Sequence, residues 1–345
     1  MTIDSFLTSV RKAKPKSRMT VMSDPKTLSR VSEFVPTGCL PLDIIMGGGV
    51  PVGRSTEIYG DTSTGKSLLA AHLLVETQHL GGIPVLFDSE TATSLEIMEA
   101  VGVDPKDCLY SVPETVEEVY EDLMEAIKAK QETAKGQLMT VIWDSVAATS
   151  SQAEVDKVKK EGLGGATMAT HARLISTMCR TIPRLIANQR IALVFINQTR
   201  ENIGVLFGEK MSTFGGRAIG YYSSVRLEMA KIKTLLDNDD QPLGIEVRCK
   251  VVKSKVSPPF GVCRFPILFG VGIDKPGAVL AWIKDKKLVE ATGSHWGWVC
   301  NSGLKTLPSF YTKDWGTYYD EHQRDVDGLM YAQAGYEVEE TEERS

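Results

Sequence analysis

Eight consecutive residues, Gly60-Asp61-Thr62-Ser63-Thr64-Gly65-Lys66-Ser67, follow the pattern G-x-x-x-x-G-K-[ST], and their types suit one task, holding a triphosphate. Gly60 and Gly65 let the backbone turn so that its N–H groups face phosphate oxygens, and a helix starting at Lys66 adds its positive end. The Lys66 ammonium has the reach for the β and γ oxygens, and the Ser67 hydroxyl is a ligand type for Mg²⁺. A random chain of this length matches the octet only about once in fifty tries, before its flanks are considered. The spacing therefore predicts a nucleoside triphosphate site.

The elements that must position these residues are legible beside them. Ser55-Thr56-Glu57-Ile58-Tyr59 reads as a strand entering the octet, and Leu68, Leu69, Leu73 and Leu74 form an apolar stripe on a helix that Gly81-Gly82 ends. Further strand-like runs lie at 84–87, 140–143, 192–196, 224–229, 247–252 and 264–269, alternating at first with helix-like segments. This predicts an α/β fold whose sheet is parallel at first and hairpin-like later. In such sheets the ligand sits beyond the carboxyl ends of the strands, so the polar residues closing each run are the candidates for chemistry. Three runs close on Asp88-Ser89-Glu90, Asp144-Ser145 and Asn197-Gln198. Asp144 fits the acidic partner that complements Ser67 around Mg²⁺.

The stretch Thr199 to Arg217 is rich in glycine (Gly204, Gly208, Gly215, Gly216), carries Arg200, Lys210 and Arg217, and interleaves Phe207 and Phe214. A mobile backbone with cations and aromatic faces suits single-stranded DNA, whose phosphates and bases it would hold and stack. With a net charge of −5 over 345 residues, bulk electrostatics carry no such signal; DNA affinity must come from local patches. At 42% hydrophobic and 24% charged the composition is ordinary for a globular protein. No apolar run approaches the length of a membrane span and the N-terminus lacks a secretory pattern, which predicts a cytoplasmic location. The six cysteines are scattered without C-x-x-C pairs and are expected to be packing residues.

Several blocks together resemble the RecA-type recombinases, the strand-exchange ATPases of bacteria and phages: Thr37-Gly38-Cys39-Leu40-Pro41-Leu42-Asp43, Glu57-Ile58-Tyr59-Gly60, Asp144-Ser145-Val146-Ala147-Ala148, Phe195-Ile196-Asn197-Gln198 and Lys250-Val251-Val252-Lys253-Ser254-Lys255. They occur in the family's order, and the likeness weakens after about Gly293. The resemblance implies that Glu90 polarises the attacking water and that Gln198 senses the γ-phosphate and signals to the loop after it. It implies two DNA-contacting loops, the one just described and an earlier one at about Asp156 to Gly165, with Lys157, Lys159, Lys160 and Arg173 in that region. Lys253 and Lys255, two apart on a strand-like run, would reach a neighbour's γ-phosphate; without the resemblance they would be a solvated strand face. Met19 to Met22 would be the strand that each copy adds to its neighbour's sheet. Where the family has an Asp and a Tyr beside adenine, this chain has Ser94 and Ile97, so base recognition would lean on Phe269 and Gly270.

The resulting expectation is a RecA-like P-loop NTPase core over residues 34–273, an oligomerisation segment over 1–33, a small α+β appendage over 274–336 and an acidic tail over 337–345. Its function would be to form helical filaments on single-stranded DNA with ATP and Mg²⁺, pair that strand with homologous duplex DNA, and exchange strands in recombination and repair. A ring-forming helicase shares such a core, but the N-terminal piece and the Lys253/Lys255 pair argue against it. A regulatory ATP-binding module without turnover is disfavoured by Glu90. A small-molecule kinase would need an acceptor pocket and lid, and neither is apparent.

Overall fold

The computed structural model describes residues 2–17, 19–24, 31–162, 168–201, 211–299 and 307–336. Its elements begin with α1 (Ile3–Ala13), β1 (Phe34–Val35), α2 (Leu40–Met46), β2 (Val50–Pro51), β3 (Ser55–Gly60) and α3 (Lys66–His79). Next come β4 (Ile83–Asp88), α4 (Leu95–Val101), β5 (Leu109–Ser111), α5 (Val116–Thr133), β6 (Met139–Asp144), α6 (Gln152–Glu161) and α7 (Met168–Ile186). Then follow β7 (Ile191–Glu201), β8 (Met211–Thr213), α8 (Arg217–Tyr222), β9 (Val225–Leu236), β10 (Pro242–Ser254), β11 (Val262–Leu268) and β12 (Gly272–Ile273). The chain closes with α9 (Lys275–Asp285), β13 (Val289–Thr292), β14 (His295–Trp298), β15 (Phe310–Tyr311) and α10 (Trp315–Gln333).

The described residues form a ten-stranded sheet in the order β12-β11-β10-β9-β3-β7-β6-β4-β5, with β8 paired to β7. From β9 through β3, β7, β6 and β4 to β5 the pairing is parallel; β9, β10, β11 and β12 continue it antiparallel. The two faces are buried differently. Against one lie α2 and α3, with Leu42, Met46, Leu69, Leu73 and Leu74 packed on Ile58, Ile142, Val194 and Leu227. Against the other lie α5, α7 and α8, whose Leu123, Ile175, Ile182 and Ile219 meet Val141, Trp143, Leu193 and Phe195. Parallel strands covered on both faces read as continuous apolar runs, which is why they stand out in the sequence. Each strand expected from Ser55 onward lies on an observed one, but β7, β9 and β10 extend well past their apolar runs.

A third cluster joins α9, α10 and the β13-β14-β15 sheet around Trp282, Ile283, Phe310, Trp315, Tyr319 and Met330. It is fastened to α2 by Ile44 and by the Tyr336 hydroxyl, which donates to the Ile44 carbonyl at 3.0 Å.

Three expectations change. The helix α3 is buried nearly all round instead of along one stripe, because β12 and α4 cover what a lone helix would expose. Met19–Met22, whose expected strand would pair with a neighbouring copy, is not paired among the described residues and closes on a turn at Met22-Ser23. The segment expected as a loop from Asp156 is helical to Glu161, since Ser151 and Glu154 form a reciprocal capping box that starts α6. The stretch from Thr199 is likewise not wholly loop: Thr199↔Thr213 and Arg200↔Ser212 pair β7 with β8, and Arg217 opens α8. Phe207 and Lys210, with Gly204 and Gly208, lie outside the described residues, as does the acidic tail.

Candidate nucleotide and DNA site

Parallel pairing sets four strand ends level. Gly60 is opposite Gln198, and Asp88 is opposite Asp144, so the octet, the Asp88-Ser89-Glu90 turn, Asp144-Ser145 and Asn197-Gln198 share one edge of the sheet. The loop hugs the sheet because residue 60 has no side chain; a Cβ there would overlap the Met229 carbonyl oxygen. Ser63 and Gly65 take positive φ of 56° and 86°, turning successive N–H groups toward the same space. Gly65 is the N-cap of α3 and provides no side-chain cap, leaving the helix's first N–H groups for a ligand.

Lys66 is buried and its ammonium donates to the Asp61 carbonyl at 2.7 Å, where the Thr64 hydroxyl also donates at 2.9 Å. Burial lowers the Lys66 pKa, opposed by the negative charges of Asp144, Glu90 and Asp61. Asp144 behaves conversely. Burial pushes it up to about 6, helped by Glu90 and Asp88 and opposed by a hydrogen bond from Ser67 and the charge of Lys66. Three carboxylates thus face one lysine, and the Ser67–Asp144 contact marks where positive charge is short. That donor set fits Mg²⁺, a hard cation that keeps most of its ligands as water and phosphate oxygens.

Glu90 is held from both ends. Its carboxylate accepts from the Ser145 hydroxyl and from Gln198 Nε2 at 3.0 Å. Its own N–H donates to Asp88 at 3.2 Å, and Asp88 also accepts from the N–H groups of Ala92 at 3.4 Å and Thr93 at 3.0 Å and from the Tyr110 hydroxyl at 3.0 Å. Burial works to raise the Asp88 pKa, but these donors outweigh it and keep the carboxylate below its ordinary range. The cavity beside Lys66, about 280 Å³, is walled by Ser63 to Ser67 of the octet, by Asp88, Glu90 and Asp144, and by Ser94, Ile97 and Met98. Ser94 caps α4 instead of facing a base with a carboxylate, and Ile97 and Met98 offer an apolar face. Phe269 and Gly270 are exposed and outside that wall, on a turn fastened to α3 where the Ile273 N–H donates to His72 Nε2 at 2.9 Å.

On the other side of the octet a larger cavity of about 1420 Å³ opens between β3, the β7–β8 hairpin, α8 and β9. Arg200, Gly216 and Arg217 line it. Arg200 donates to the Ser212 hydroxyl at 3.3 Å and sits 5.5 Å from the Phe214 ring centre. Gly215 is buried at φ 78°, while Lys157 lies on α6 and Arg173 in the first turns of α7. Lys253 donates to the Gly220 and Tyr221 carbonyls at 2.8 and 2.7 Å, and burial with the nearby Lys255 and Arg226 charges lowers it to about 8. Lys255 falls one residue past the end of β10, after an irregular register at Val251/Lys253, so the alternation that would place both lysines on one face stops short of it.

The sequence marks Asp88, Ser145 and Asn197 as polar residues that close their strands but gives them no role, and it gives none to the pair Glu57–Arg226. Arg226 Nε donates to Glu57 at 2.6 Å, while Asn197 Nδ2 donates to Glu57 and to the Phe214 carbonyl, each at 3.0 Å. A glutamate inside an apolar strand was the available signal, since a fully buried charge demands a partner.

A family model for the RecA N-terminal domain matches residues 2–274 of this chain. Protein RecA of Heliobacterium modesticaldum is 38% identical over 293 residues, 85% of this chain and 81% of that protein. Protein RecA of Geobacter metallireducens is 39% identical over 263 residues, 76% of this chain and 74% of its own length. That of Symbiobacterium thermophilum is 38% identical over 280 residues, 81% of this chain and 76% of the relative.

Proposed function

The chain belongs to the RecA family, and from that premise we propose that it is an ATP-dependent recombinase which assembles on single-stranded DNA, pairs it with homologous duplex DNA and exchanges strands. The octet Gly60 to Ser67 binds the triphosphate; Ser67 and Asp144 would hold Mg²⁺, which when bound would supply positive charge beside the phosphates. Glu90 orients and polarises the attacking water. Gln198 is the coupling residue: its Nε2 contact with Glu90 at 3.0 Å joins the hydrolytic carboxylate to the strand that continues into the β7–β8 hairpin, and this contact carries the reading.

Arg200, Arg217, Gly215 and Gly216, with Phe207 and Lys210 of the same stretch and Lys157 and Arg173 from the preceding helices, contact the DNA backbone and bases. Residues 1–33 serve assembly. The helix α1 buries none of its residues, and Ile3 and Phe6 are exposed, while β5 offers an unpaired edge among the described strands with Leu109 and Val112 exposed. Lys253 and Lys255 approach a neighbouring copy's nucleotide, Phe269 and Gly270 contact the base, and residues 274–336 form a separate small domain. No helix among the described residues is long and apolar enough to cross a membrane, in keeping with a cytoplasmic filament.

Three measurements test this: ATP turnover with and without single-stranded DNA, electron microscopy of the protein with ATP and that DNA, and a strand-exchange assay. The expected results are DNA-stimulated turnover, continuous helical filaments and joint-molecule formation. Closed rings of fixed subunit number that unwind duplexes would overturn the reading in favour of a helicase.

A further inference from the structure

We propose that Tyr110, on the edge strand β5, is a positioning residue for hydrolysis that acts on Glu90 through Asp88; this rests on Glu90 having the role given above. Tyr110 is 52% exposed, and an exposed tyrosine at a sheet edge ordinarily leaves its hydroxyl to water. Here the hydroxyl turns inward and donates to Asp88 Oδ2 at 3.0 Å. It thereby crosses from β5 to the end of the neighbouring strand, two residues beyond its own pairing partner Leu86.

Asp88 is 2% exposed and holds the turn that carries Glu90. One oxygen accepts from the Glu90 and Ala92 N–H groups, and the other from the Thr93 N–H and the Tyr110 hydroxyl. The turn needs such a hold, for Thr91 within it sits at φ 53°, a region a β-branched residue avoids without compensation. The Glu90 side chain has its own two partners, Ser145 and Gln198, but these set the carboxylate only if the backbone beneath is fixed. Of the four donors on Asp88, three belong to the turn itself. Tyr110 is the one from another element, so it fixes the carboxylate in the frame of the sheet and with it the Glu90 backbone. A misplacement of about 1 Å at a catalytic group can slow a reaction about a hundred-fold, so a loosened Glu90 backbone is expected to act on turnover.

The test is steady-state ATP turnover on single-stranded DNA by the full-length Tyr110→Phe, Asp88→Asn, Tyr110→Phe/Asp88→Asn and Glu90→Ala variants. Tyr110→Phe is expected to lower kcat at least five-fold, with KM for ATP and affinity for a slowly hydrolysed ATP analogue within two-fold of the parent protein. Asp88→Asn is expected to be at least as slow, and the double variant no slower than Asp88→Asn alone, because both changes break one chain of contacts. Asp88→Glu, which keeps the charge but moves it, replaces Asp88→Asn in the cycle if that variant does not fold. Wild-type kcat in Tyr110→Phe beside an inactive Glu90→Ala would overturn the inference and leave the hydrolytic role of Glu90 standing. A Tyr110→Phe variant that raises KM alone, or whose effect multiplies with that of Asp88→Asn, would overturn it equally. Turnover by Glu90→Ala at the parent rate would instead overturn the reading on which the inference rests.

Discussion

Glu57 has no exposed surface, yet it sits in the strand that delivers the phosphate loop. Its charge is met by Arg226 Nε at 2.6 Å and by Asn197 Nδ2 at 3.0 Å, and Arg226 in turn stacks 4.6 Å from the Tyr59 ring centre. Removing one partner of a buried pair strands the other charge at a cost of about 3–5 kcal/mol, whereas removing both is far cheaper. Arg226→Met is therefore expected to lower stability by about that amount in urea unfolding, and the added change Glu57→Gln to restore at least half of the loss. Asp43 poses the opposite problem, a buried carboxylate with no ion pair among the described residues and only the more distant charge of Lys275 to offset its burial. Burial pushes it up to about 8, against the hydrogen bond from the Thr37 N–H at 2.8 Å. An unfolded aspartate titrates near pH 4 (about 3.9), so folding takes up a proton between these values, and the stability present below about pH 4 is lost as pH rises through 8. His72, which burial pushes down to about 4, contributes its slope only below its ordinary value of about 6.5. Between pH 6.5 and 8 the unfolding free energy should thus fall by up to about 1.4 kcal/mol per pH unit. Asp43→Asn, which keeps an acceptor for Thr37, should flatten that slope; an unchanged slope would exclude Asp43 as its source.

Among the elements, α6 shows how a local signal is outweighed by expectation. Ser151-Gln152-Ala153-Glu154 is a capping-box sequence, and the reciprocal bonds form as that pattern requires. The resemblance nevertheless implied a DNA-contacting loop from about Asp156 to Gly165, and that implication outweighed the local signal. Ser151→Ala should cost about 1 kcal/mol, seen as a lower urea midpoint at unchanged slope, and should leave ATP affinity as it was. The parallel strands were legible because they are buried on both faces. What the sequence did not disclose is where β7, β9 and β10 stop, since the parts beyond their apolar runs carry polar residues such as Gln198, Lys231 and Glu246 and are held by cross-strand pairing that no single run records. The phosphate loop was readable because its turn and the helix start at Lys66 are set by neighbouring residues, although the close approach of Gly60 to the Met229 carbonyl is not. Glu57–Arg226, Asp88–Tyr110 and Ser145–Glu90 were not, because each joins residues from different strands whose neighbours only the topology decides.

At the scale of the molecule the net charge of −5 means that DNA is held by a local cationic surface whose geometry must be made on demand. Two contacts lead from the nucleotide toward that surface. Gln198 bonds Glu90, and its neighbour Asn197 bonds both Glu57 and the Phe214 carbonyl at the far end of the hairpin stretch. The second contact lies in the buried core and does not depend on the nucleotide, whereas the first is at the phosphate edge and has a competing partner whenever a γ-phosphate is present. On the reading proposed above, of these two contacts that of Gln198 is the one a γ-phosphate can displace, and a ligand shifts an equilibrium only by its differential interaction with the two states. Gln198→Ala should bind a slowly hydrolysed ATP analogue within three-fold of the parent, because the octet supplies that affinity. Its affinity for a fluorescent oligo-dT should differ less than two-fold between the analogue and ADP, where the parent differs by ten-fold or more, a coupling of about 1.4 kcal/mol. Fluorescence anisotropy at fixed salt reads this directly, fixed because each phosphate contact makes binding steeply salt-dependent. Retention of the parent ratio by Gln198→Ala would route the coupling through the Asn197–Glu57–Arg226 core instead, and the Arg226→Met variant would then be the one to lose it.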